Sequence, residues 1–470
     1  MRRKKALPLI ENLSIEGIAK KGNGVGRTQD GQVVFIKGAI PGDTVDVIVQ
    51  KKRRRHFEGK VSHFHQKSAD RITPVCTHFG TCGGCTWQHM EYGAQLKHKQ
   101  QEVTDALSRI GGVEVPKYAP IIGCENIFAY RNKMEFSFSA RRWLTAEEIS
   151  GDKAVEDKTA LGFHILGMWD KIVDIDYCHL QSEIPNRIRN EVKTYARQKG
   201  LSFFDTKENK GFLRSLMLRT TLSGEIMVVI QFFYEDKIAR EALLNHIKVT
   251  FPNITSLQYI INKKANDTIY DQDVHCFHGN TYITEKIGGL KFRITPKAFF
   301  QTNPEQTQIL YEQALKLASI QATDIVYDLY TGLGTIAQYI AKQCKKVIGI
   351  ESIPEAIVAA KENAIRNKVT NAEFEVGDMR KVFTDDFVTK YGNPDVIIVD
   401  PPRDGMHNDV IKQLVKIKSP KILYISCNPQ TQARDLSTLS EIYDVVISQA
   451  IDMFPHTQHV ENIVFLKLRE

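Results

Sequence analysis

The sequence lacks any apolar run that approaches the length of a membrane-spanning helix. The apolar stretch that follows the basic first residues, positions 6–10, is too short for the core of a secretory signal. Cysteine is scarce as well, because eight residues in a chain of 470 do not suggest a disulfide framework. We therefore expect a cytoplasmic protein whose clustered cysteines bind metal.

The length is more than one hydrophobic core usually organises, so the sequence predicts several domains. The composition, 42% hydrophobic and 25% charged, is that of an ordinary globular protein. The order of the predicted elements indicates a multi-domain fold in three parts. These are a small OB-like β-barrel at residues 1–68, a central α+β domain with the cysteine cluster at 69–294, and an α/β domain at 295–470. We expect a monomer.

The positive charge is concentrated at one end of the chain. The whole chain carries a formal charge of +8, yet residues 1–71 hold 16 Lys and Arg against 7 Asp and Glu, a net +9. The remainder is therefore close to neutral, at −1. A solvated face that aids solubility is the simpler explanation, but concentration in one module favours a polyanionic partner such as nucleic acid.

The N-terminal module contains five short β segments broken by glycine turns, which indicates a small barrel. A run of cations falls between the fourth and fifth segments, in a predicted hairpin loop. Adjacent cations bind phosphate by displacing counterions, so we expect this run to contact RNA. The module resembles a TRAM domain, an RNA-binding barrel. The predicted contacts are Lys51, Lys52, Arg53, Arg54 and Arg55.

Three cysteines lie in a C-x5-C-x2-C pattern, at Cys76, Cys82 and Cys85. The C-x2-C half, with two glycines inside it, allows two thiolates to converge on one metal. The best fourth ligand is Cys178, which follows a predicted hairpin that can return the chain. Four thiolates suit either zinc or an iron–sulfur cluster, and the spacing leaves both open. The alternative is a set of unrelated thiols.

A strand with one buried face follows the cysteine segment, because Met134, Phe136 and Phe138 alternate with polar residues. Arg131 and Lys133 stand at its start, where they are predicted to contact RNA phosphate. The alternative is an ordinary polar strand end.

From residue 295 the pattern alternates between strand and helix, which predicts a parallel sheet. A glycine loop that contains Gly332 and Gly334 follows the first buried strand, and Glu351 ends the second. Such a loop with such a carboxylate suits either NAD or S-adenosylmethionine (SAM). The segment Asp400-Pro401-Pro402-Arg403 at a later strand end favours a nucleic-acid methyltransferase, since its carboxylate can bind a planar base.

Cys427 stands at the end of a buried strand, before the Asn428-Pro429 turn. Alone it reads as a core thiol. Methylation of uracil carbon 5, however, requires a nucleophile that adds to carbon 6, a carboxylate that orients the ring and a general base. Cys427 and Asp400 supply the first two. The segment near the C-terminus offers three candidates for the base, which position alone cannot separate: His456, His459 and Glu461.

Five ordered motifs together resemble the RNA uracil-5-methyltransferase family. They are Phe299-Phe300-Gln301-Thr302-Asn303, Asp328-Leu329-Tyr330-Thr331-Gly332, Asp400-Pro401-Pro402-Arg403, Ser426-Cys427-Asn428-Pro429 and Phe454-Pro455-His456-Thr457 with His459-Val460-Glu461. The resemblance implies a Rossmann-like class I methyltransferase domain, Cys427 as nucleophile and Glu461 as base. It also implies a SAM site, for which the predicted contacts are Gln301, Tyr330, Gly332, Gly334, Thr335, Glu351, Asp378 and Asp400.

In that family the four cysteines hold a four-iron four-sulfur cluster, [4Fe-4S], which would make the central part an iron–sulfur domain. The barrel and the cysteines favour the branch that acts on 23S ribosomal RNA. Two alternatives stay open: the same chemistry on tRNA, and a non-catalytic RNA-binding protein whose cluster senses redox state. One departure is Thr331, where relatives often carry cysteine.

Overall fold

The computed structural model describes residues 8–151 and 155–470. The basic residues at positions 2–5 lie outside this range. By its internal contacts the chain divides into two compact units. The first unit comprises Met1–Lys99 and Phe454–His459, and the second comprises Gln100–Met453 and Val460–Glu470. Within the described residues, no helix has the length and apolar character needed to cross a membrane.

The first unit begins with a closed five-stranded barrel in the order β1-β2-β3-β5-β4. Its strands are β1 (Leu9–Ala19), β2 (Asn23–Arg27), β3 (Val33–Lys37), β4 (Thr44–Lys52) and β5 (His56–Gln66). Alternate residues point inward, as a strand period of two requires, so Val34, Ile36, Val45 and Val47 are fully buried. The prediction of a small barrel is confirmed. Its basic run differs in one respect, because Lys51 and Lys52 end β4 and only positions 53–55 form the turn.

The central region of the second unit is a seven-stranded sheet in the order β13-β12-β11-β10-β7-β8-β9. The elements from residue 92 to this sheet's end are α1 (Tyr92–Asp105), β6 (Tyr118–Ile122), β7 (Lys133–Ser139), α2 (Ala146–Ser150), β8 (Ala160–His164), β9 (Ile172–Asp174), α3 (Glu183–Gln198), β10 (Leu213–Thr220), β11 (Ile226–Phe232), α4 (Lys237–Thr250), β12 (Ser256–Ile261) and β13 (His275–Gly279). Its strands are antiparallel except β11 and β12, which α4 connects in parallel.

The C-terminal region contains an eight-stranded sheet in the order β18-β17-β16-β19-β20-β22-β21-β6. Its elements are β14 (Ile283–Ile287), β15 (Leu290–Ile294), α5 (Pro304–Ala318), β16 (Ile325–Leu329), α6 (Thr335–Ala341), β17 (Lys346–Glu351), α7 (Pro354–Arg366), β18 (Ala372–Val376), α8 (Met379–Val382), α9 (Asp385–Tyr391), β19 (Val396–Val399), α10 (Asn408–Ile417), β20 (Lys421–Ser426), α11 (Pro429–Leu439), β21 (Tyr443–Ile451) and β22 (Glu461–Leu468).

The five strands from β16 to β20 are parallel, and β22 runs antiparallel to β20. Their buried apolar runs, such as Val396 to Val399, fit strands covered on both faces. Residues 142–158, predicted to be a loop, contain the short helix α2. Thr145 and Glu148 start it with a reciprocal capping box, which fixes a helix that its polar composition obscures.

Candidate active site

Three of the predicted catalytic residues meet at the carboxyl edge of the parallel sheet. Val399, the last residue of β19, pairs with Tyr424 of β20, so Asp400 follows at this edge. Ser426 pairs with Asn462 in the antiparallel β20–β22 ladder. The next positions outward are therefore Cys427 and Glu461. Ligands of open α/β sheets bind at this edge.

The Cys427 thiol is half-buried and electrostatically strained toward its neutral form. Burial raises its pKa to about 11, and the charges of Glu461 and Asp400 act in the same direction. Arg403 opposes them through its charge and a hydrogen bond to the thiol. The site therefore keeps a protonated thiol at neutral pH and holds one cation that can stabilise the thiolate.

Two carboxyl groups lie beside this thiol. Glu461 is only 4% exposed. Burial raises its pKa well above the ordinary value, and the charge of Asp400 raises it further, while Arg403 lowers it. Burial also raises the pKa of Asp400 to about 7, with a contribution from Asp328. Carboxyl groups with such pKa values can exchange protons near neutral pH, which is what a general base requires.

The position of Arg403 depends on the turn that carries Cys427. Its carbonyl oxygen accepts hydrogen bonds from Asn428 Nδ2 at 2.9 Å and from Thr431 Oγ1 at 3.2 Å. The loop after β19 is thus tied to the start of α11. Sequence reasoning did not assign Arg403 a role, although its place three residues after Asp400 was a usable signal.

A second support lies below this loop, at the fully buried Asp435. Its carboxylate accepts hydrogen bonds from the Met406 amide at 2.8 Å, the Tyr424 hydroxyl at 2.7 Å and Arg434 at 2.7 Å. Gly405 makes the tight turn between them, with φ at 78° and no room for a Cβ, which would come within 2.6 Å of Arg434. Asp435 was not a predicted site residue.

The glycine loop after β16 is arranged around Asp328, which is 1% exposed. One carboxylate oxygen accepts hydrogen bonds from Thr331 Oγ1 at 2.5 Å and from the Ala337 amide at 3.1 Å. The other has no hydrogen-bond partner within the described residues. Burial raises the pKa of Asp328 to about 7. Thr331, the departure from the family pattern, thus has a defined partner.

The same loop leaves open space for a ligand. Gly332 has φ at 55° and no atom within 4 Å of where a Cβ would stand, whereas a Cβ on Gly334 would come within 2.7 Å of Phe374. Glu351 Oε2 accepts a hydrogen bond from the Gly332 amide at 3.2 Å. A glycine loop with open space above it, an unpartnered buried oxygen and a carboxylate at the next strand end fit SAM.

The other predicted cofactor contacts lie on surrounding loops. Tyr330 has a positive φ of 67° and is half-buried. Thr335 Oγ1 lies 2.8 Å from the Tyr311 hydroxyl. The Gln301 carbonyl accepts a hydrogen bond from Asn132 Nδ2 at 3.4 Å. Asp378 begins α8 and pairs with Arg380, and this hydrogen bond lowers its pKa to about 2.

The predicted metal ligands are divided between the units, with Cys76, Cys82 and Cys85 in the first and Cys178 in the second. Gly84 N donates to Cys82 Sγ at 3.5 Å, and Gln88 Nε2 donates to Cys85 Sγ at 3.2 Å. Across residues 8–151 and 155–470, no three His, Cys, Asp or Glu side chains are arranged to hold a metal ion. The metal site stays a prediction.

The two histidines considered as bases belong to the first unit. His456 is buried there, where its amide accepts no solvent contact and donates to Gln95 Oε1 at 2.8 Å. Its carbonyl accepts hydrogen bonds from the Thr86 and Trp87 amides at 2.9 and 3.0 Å. These bonds give the His456 backbone a structural role within that unit.

The predicted RNA contacts are at the surface in both units. Lys51 and Arg53 lie 3.6 and 3.7 Å from Glu58, which offsets part of their charge. Arg54 and Arg55 are exposed, and neither has an ion-pair partner among the described residues. In the second unit, Arg131 and Lys133 flank Asn132 at the start of β7. Lys133 Nζ lies 2.5 Å from Glu135.

Comparison with known proteins gives matches along nearly the whole chain. A family model of tRNA (uracil-5-)-methyltransferases matches residues 169–469, and a TRAM-domain model matches residues 10–61. An uncharacterised RNA methyltransferase of Porphyromonas gingivalis is 48% identical over 461 residues, which cover 97% of this chain and 99% of the relative. Another, of Chlorobaculum tepidum, is 37% identical and covers 98% of this chain and 97% of its own.

Among solved structures, the chain is similar to a Pyrococcus abyssi tRNA (uracil-54, C5)-methyltransferase in complex with S-adenosyl-L-homocysteine. The two share 29% identity with a TM-score of 0.74, over 96% of this chain and 99% of the other. Together with the sheet order and glycine loop, this likeness defines a class I SAM-dependent methyltransferase. The chain belongs to the tRNA (uracil-5-)-methyltransferase family and begins with a TRAM domain. Both resemblances predicted from sequence are confirmed.

Substitution of Asp400 by asparagine is expected to change how stability depends on pH. The folded-state pKa of Asp400, about 7, lies above the ordinary 3.8, so the free energy of unfolding falls as pH rises from about 4 to about 7. Asparagine removes this loss. Urea unfolding should show Asp400→Asn gaining about 2–4 kcal/mol on the wild type between pH 4 and 8. The exposed Asp404→Asn is the control, and an equal difference at both pH values would contradict the account.

Proposed function

We propose that this enzyme methylates carbon 5 of a uridine in 23S ribosomal RNA. The observation that carries the proposal is the meeting of Cys427, Asp400 and Glu461, with Arg403, at the sheet edge next to the glycine loop. A thiol, two carboxyl groups and a cation are the groups that carbon 5 methylation of a uracil ring requires.

In the proposed reaction, Asp400 accepts a hydrogen bond from the uracil ring and orients it. The Cys427 thiolate, stabilised by Arg403, forms a bond to carbon 6 and makes carbon 5 nucleophilic. SAM, when bound, supplies a methyl group on a positively charged sulfur that carbon 5 can attack. Glu461 then removes the carbon 5 proton, and the released electron pair restores the ring double bond and expels the Cys427 thiolate.

The choice of ribosomal RNA rests on the TRAM barrel together with the four cysteines. A tRNA substrate is the second candidate, because the similar Pyrococcus structure is a tRNA enzyme and its alignment covers 96% of this chain. A barrel of this kind is therefore compatible with either RNA. We further propose that the enzyme acts as a cytoplasmic monomer.

Mapping 5-methyluridine in total RNA from a deletion strain decides between the substrates. Loss from 23S ribosomal RNA with tRNA unchanged is the expected result. Loss from tRNA with ribosomal RNA intact would replace the first choice by the second. No loss from either RNA would favour a non-catalytic RNA-binding protein. Complementation with the wild-type gene and with Cys427→Ala is the matched control.

We also propose that Cys76, Cys82, Cys85 and Cys178 hold a [4Fe-4S] cluster in the folded enzyme. The support is the C-x2-C spacing and the N–H groups that donate to the sulfurs of Cys82 and Cys85, since such bonds are typical around thiolates that bind iron–sulfur clusters. These residues would fasten the cysteine segment to the cluster. They take no part in the proposed methyl transfer.

Protein purified without oxygen is expected to be brown, with visible absorption and about four iron and four sulfide per chain. Substitution of Cys85 by serine should remove most of the colour and iron. Cys276→Ser, at an exposed cysteine outside the proposed set, should leave both unchanged. A colourless, zinc-containing preparation would overturn the assignment.

A further inference from the structure

The loop between β15 and α5 presents an aromatic ring to solvent next to the proposed cofactor site. Phe299 is 74% exposed, whereas the adjacent Phe300 is 5% exposed and packs near Phe292. Phe299 precedes Gln301, a predicted SAM contact, by only two residues. An exposed phenylalanine at such a place gains nothing from folding, so its use lies in contact with another molecule.

This loop is held by hydrogen bonds on both sides. The Asn132 amide donates to the Thr302 carbonyl at 2.9 Å, and Arg219 donates to the Ala298 carbonyl at 2.6 Å. On the other side, Asn303 Nδ2 donates to the Met453 carbonyl at 3.1 Å. The Phe299 backbone is thereby fixed, and a ring on a fixed backbone loses little conformational entropy when it binds.

The surface around this ring carries cations and a second exposed aromatic residue. Arg131 and Lys133 are the immediate neighbours of Asn132, which is bonded to the loop. Arg219 is 4% exposed, and its Nε has no hydrogen-bond partner within the described part of the chain. The phenol of Tyr270, a residue 69% exposed, acts on the pKa of Arg219 and therefore lies near it.

We propose that Phe299 is a stacking platform for an unpaired RNA base that neighbours the target uridine, and that Arg131 and Lys133 contact the phosphates beside that base. Single-stranded nucleic acid binds to surfaces of this composition, on which bases stack on aromatic rings and cations follow the backbone. A protein partner would not need the cations next to the ring. The inference rests on the proposed function and adds how the substrate strand is held.

The test compares Phe299→Ala, Phe299→Tyr and Trp169→Ala with the wild type. Trp169 is an aromatic residue 65% exposed elsewhere in the second unit, so it controls for the loss of any surface ring. Binding is measured by fluorescence anisotropy with an unmodified RNA stem-loop that contains the mapped uridine. Covalent capture is measured with the same RNA carrying 5-fluorouridine. Thermal unfolding reports on the fold.

Phe299→Ala is expected to bind the stem-loop roughly 5- to 100-fold more weakly, with its melting temperature unchanged. Phe299→Tyr should restore binding to within about threefold, and Trp169→Ala should bind like the wild type. Wild-type affinity in Phe299→Ala, or an equal loss in Trp169→Ala, would overturn the inference. Absence of covalent capture in the wild type would instead contradict the proposed function, while the binding comparison still judges Phe299.

Discussion

Substitution of Cys427 by alanine is expected to abolish methyl transfer to RNA, with a loss on the order of 10⁴-fold or more. The reason is that carbon 5 of uracil becomes nucleophilic only after a thiolate adds to carbon 6. Cys427 is the cysteine that the β20–β22 register places opposite Glu461. The measurement is transfer of labelled methyl groups from SAM to unmodified RNA under single-turnover conditions.

Two controls separate chemistry from folding in this experiment. Cys276→Ala removes an exposed thiol from the central sheet and should retain wild-type activity. Cys427→Ala itself should still bind RNA, because the barrel and the surface at the start of β7 are untouched. Methyl transfer by Cys427→Ala at more than about a hundredth of the wild-type rate would show that another group initiates the reaction.

Substitution of Glu461 by glutamine is expected to stop the reaction after methyl transfer. Without a base the carbon 5 proton stays, so the methylated RNA should remain covalently bound to Cys427. General bases contribute roughly 10²- to 10⁴-fold, and turnover should fall by that factor. The measurement is a denaturing gel in which labelled methyl groups migrate with an enzyme–RNA complex on unmodified RNA.

The matched control is Glu441→Gln, an exposed carboxylate in the same unit. It should turn over normally and leave no stable complex. If Glu461→Gln releases methylated RNA at the wild-type rate, the base is a different residue. The burial that raises the pKa of Glu461 supports its assignment, since a carboxyl group of this kind takes up a proton readily near neutral pH.

Strand ends were the part of the site that sequence could predict. Buried apolar runs that stop at Asp400 and at Cys427 indicate parallel strands, and such strands end at one edge of a sheet. The choice between His456, His459 and Glu461 could not be made in this way. It depends on the antiparallel register that pairs Ser426 with Asn462, a tertiary feature with no local signal.

Other features depend on contacts between distant segments. β6, at Tyr118–Ile122, adds a parallel strand to the edge of the C-terminal sheet beside β21, although nearly 200 residues separate it from the rest of that sheet. The buried carboxylate of Asp435 supports the Arg403 loop through three donors. Neither feature follows from periodicity or propensity, because both are decided by which segments meet.

The barrel was predictable for the opposite reason. Five short alternating segments separated by glycine turns leave few other folds for some sixty residues, and a closed barrel removes exposed edges. The helix α2 was missed because a capping box, rather than an apolar stripe, defines it. The cysteine pattern predicts metal, whereas the identity of that metal depends on chemistry that spacing does not contain.

The most direct test of the account is the site of covalent attachment to the substrate. The enzyme is incubated with SAM and RNA that carries 5-fluorouridine at the mapped position, where fluorine replaces the proton that the base must remove. After nuclease and protease digestion, mass spectrometry identifies the linked peptide. The account predicts one methylated nucleotide attached to Cys427. Attachment at another cysteine, or no attachment by active enzyme, would contradict it.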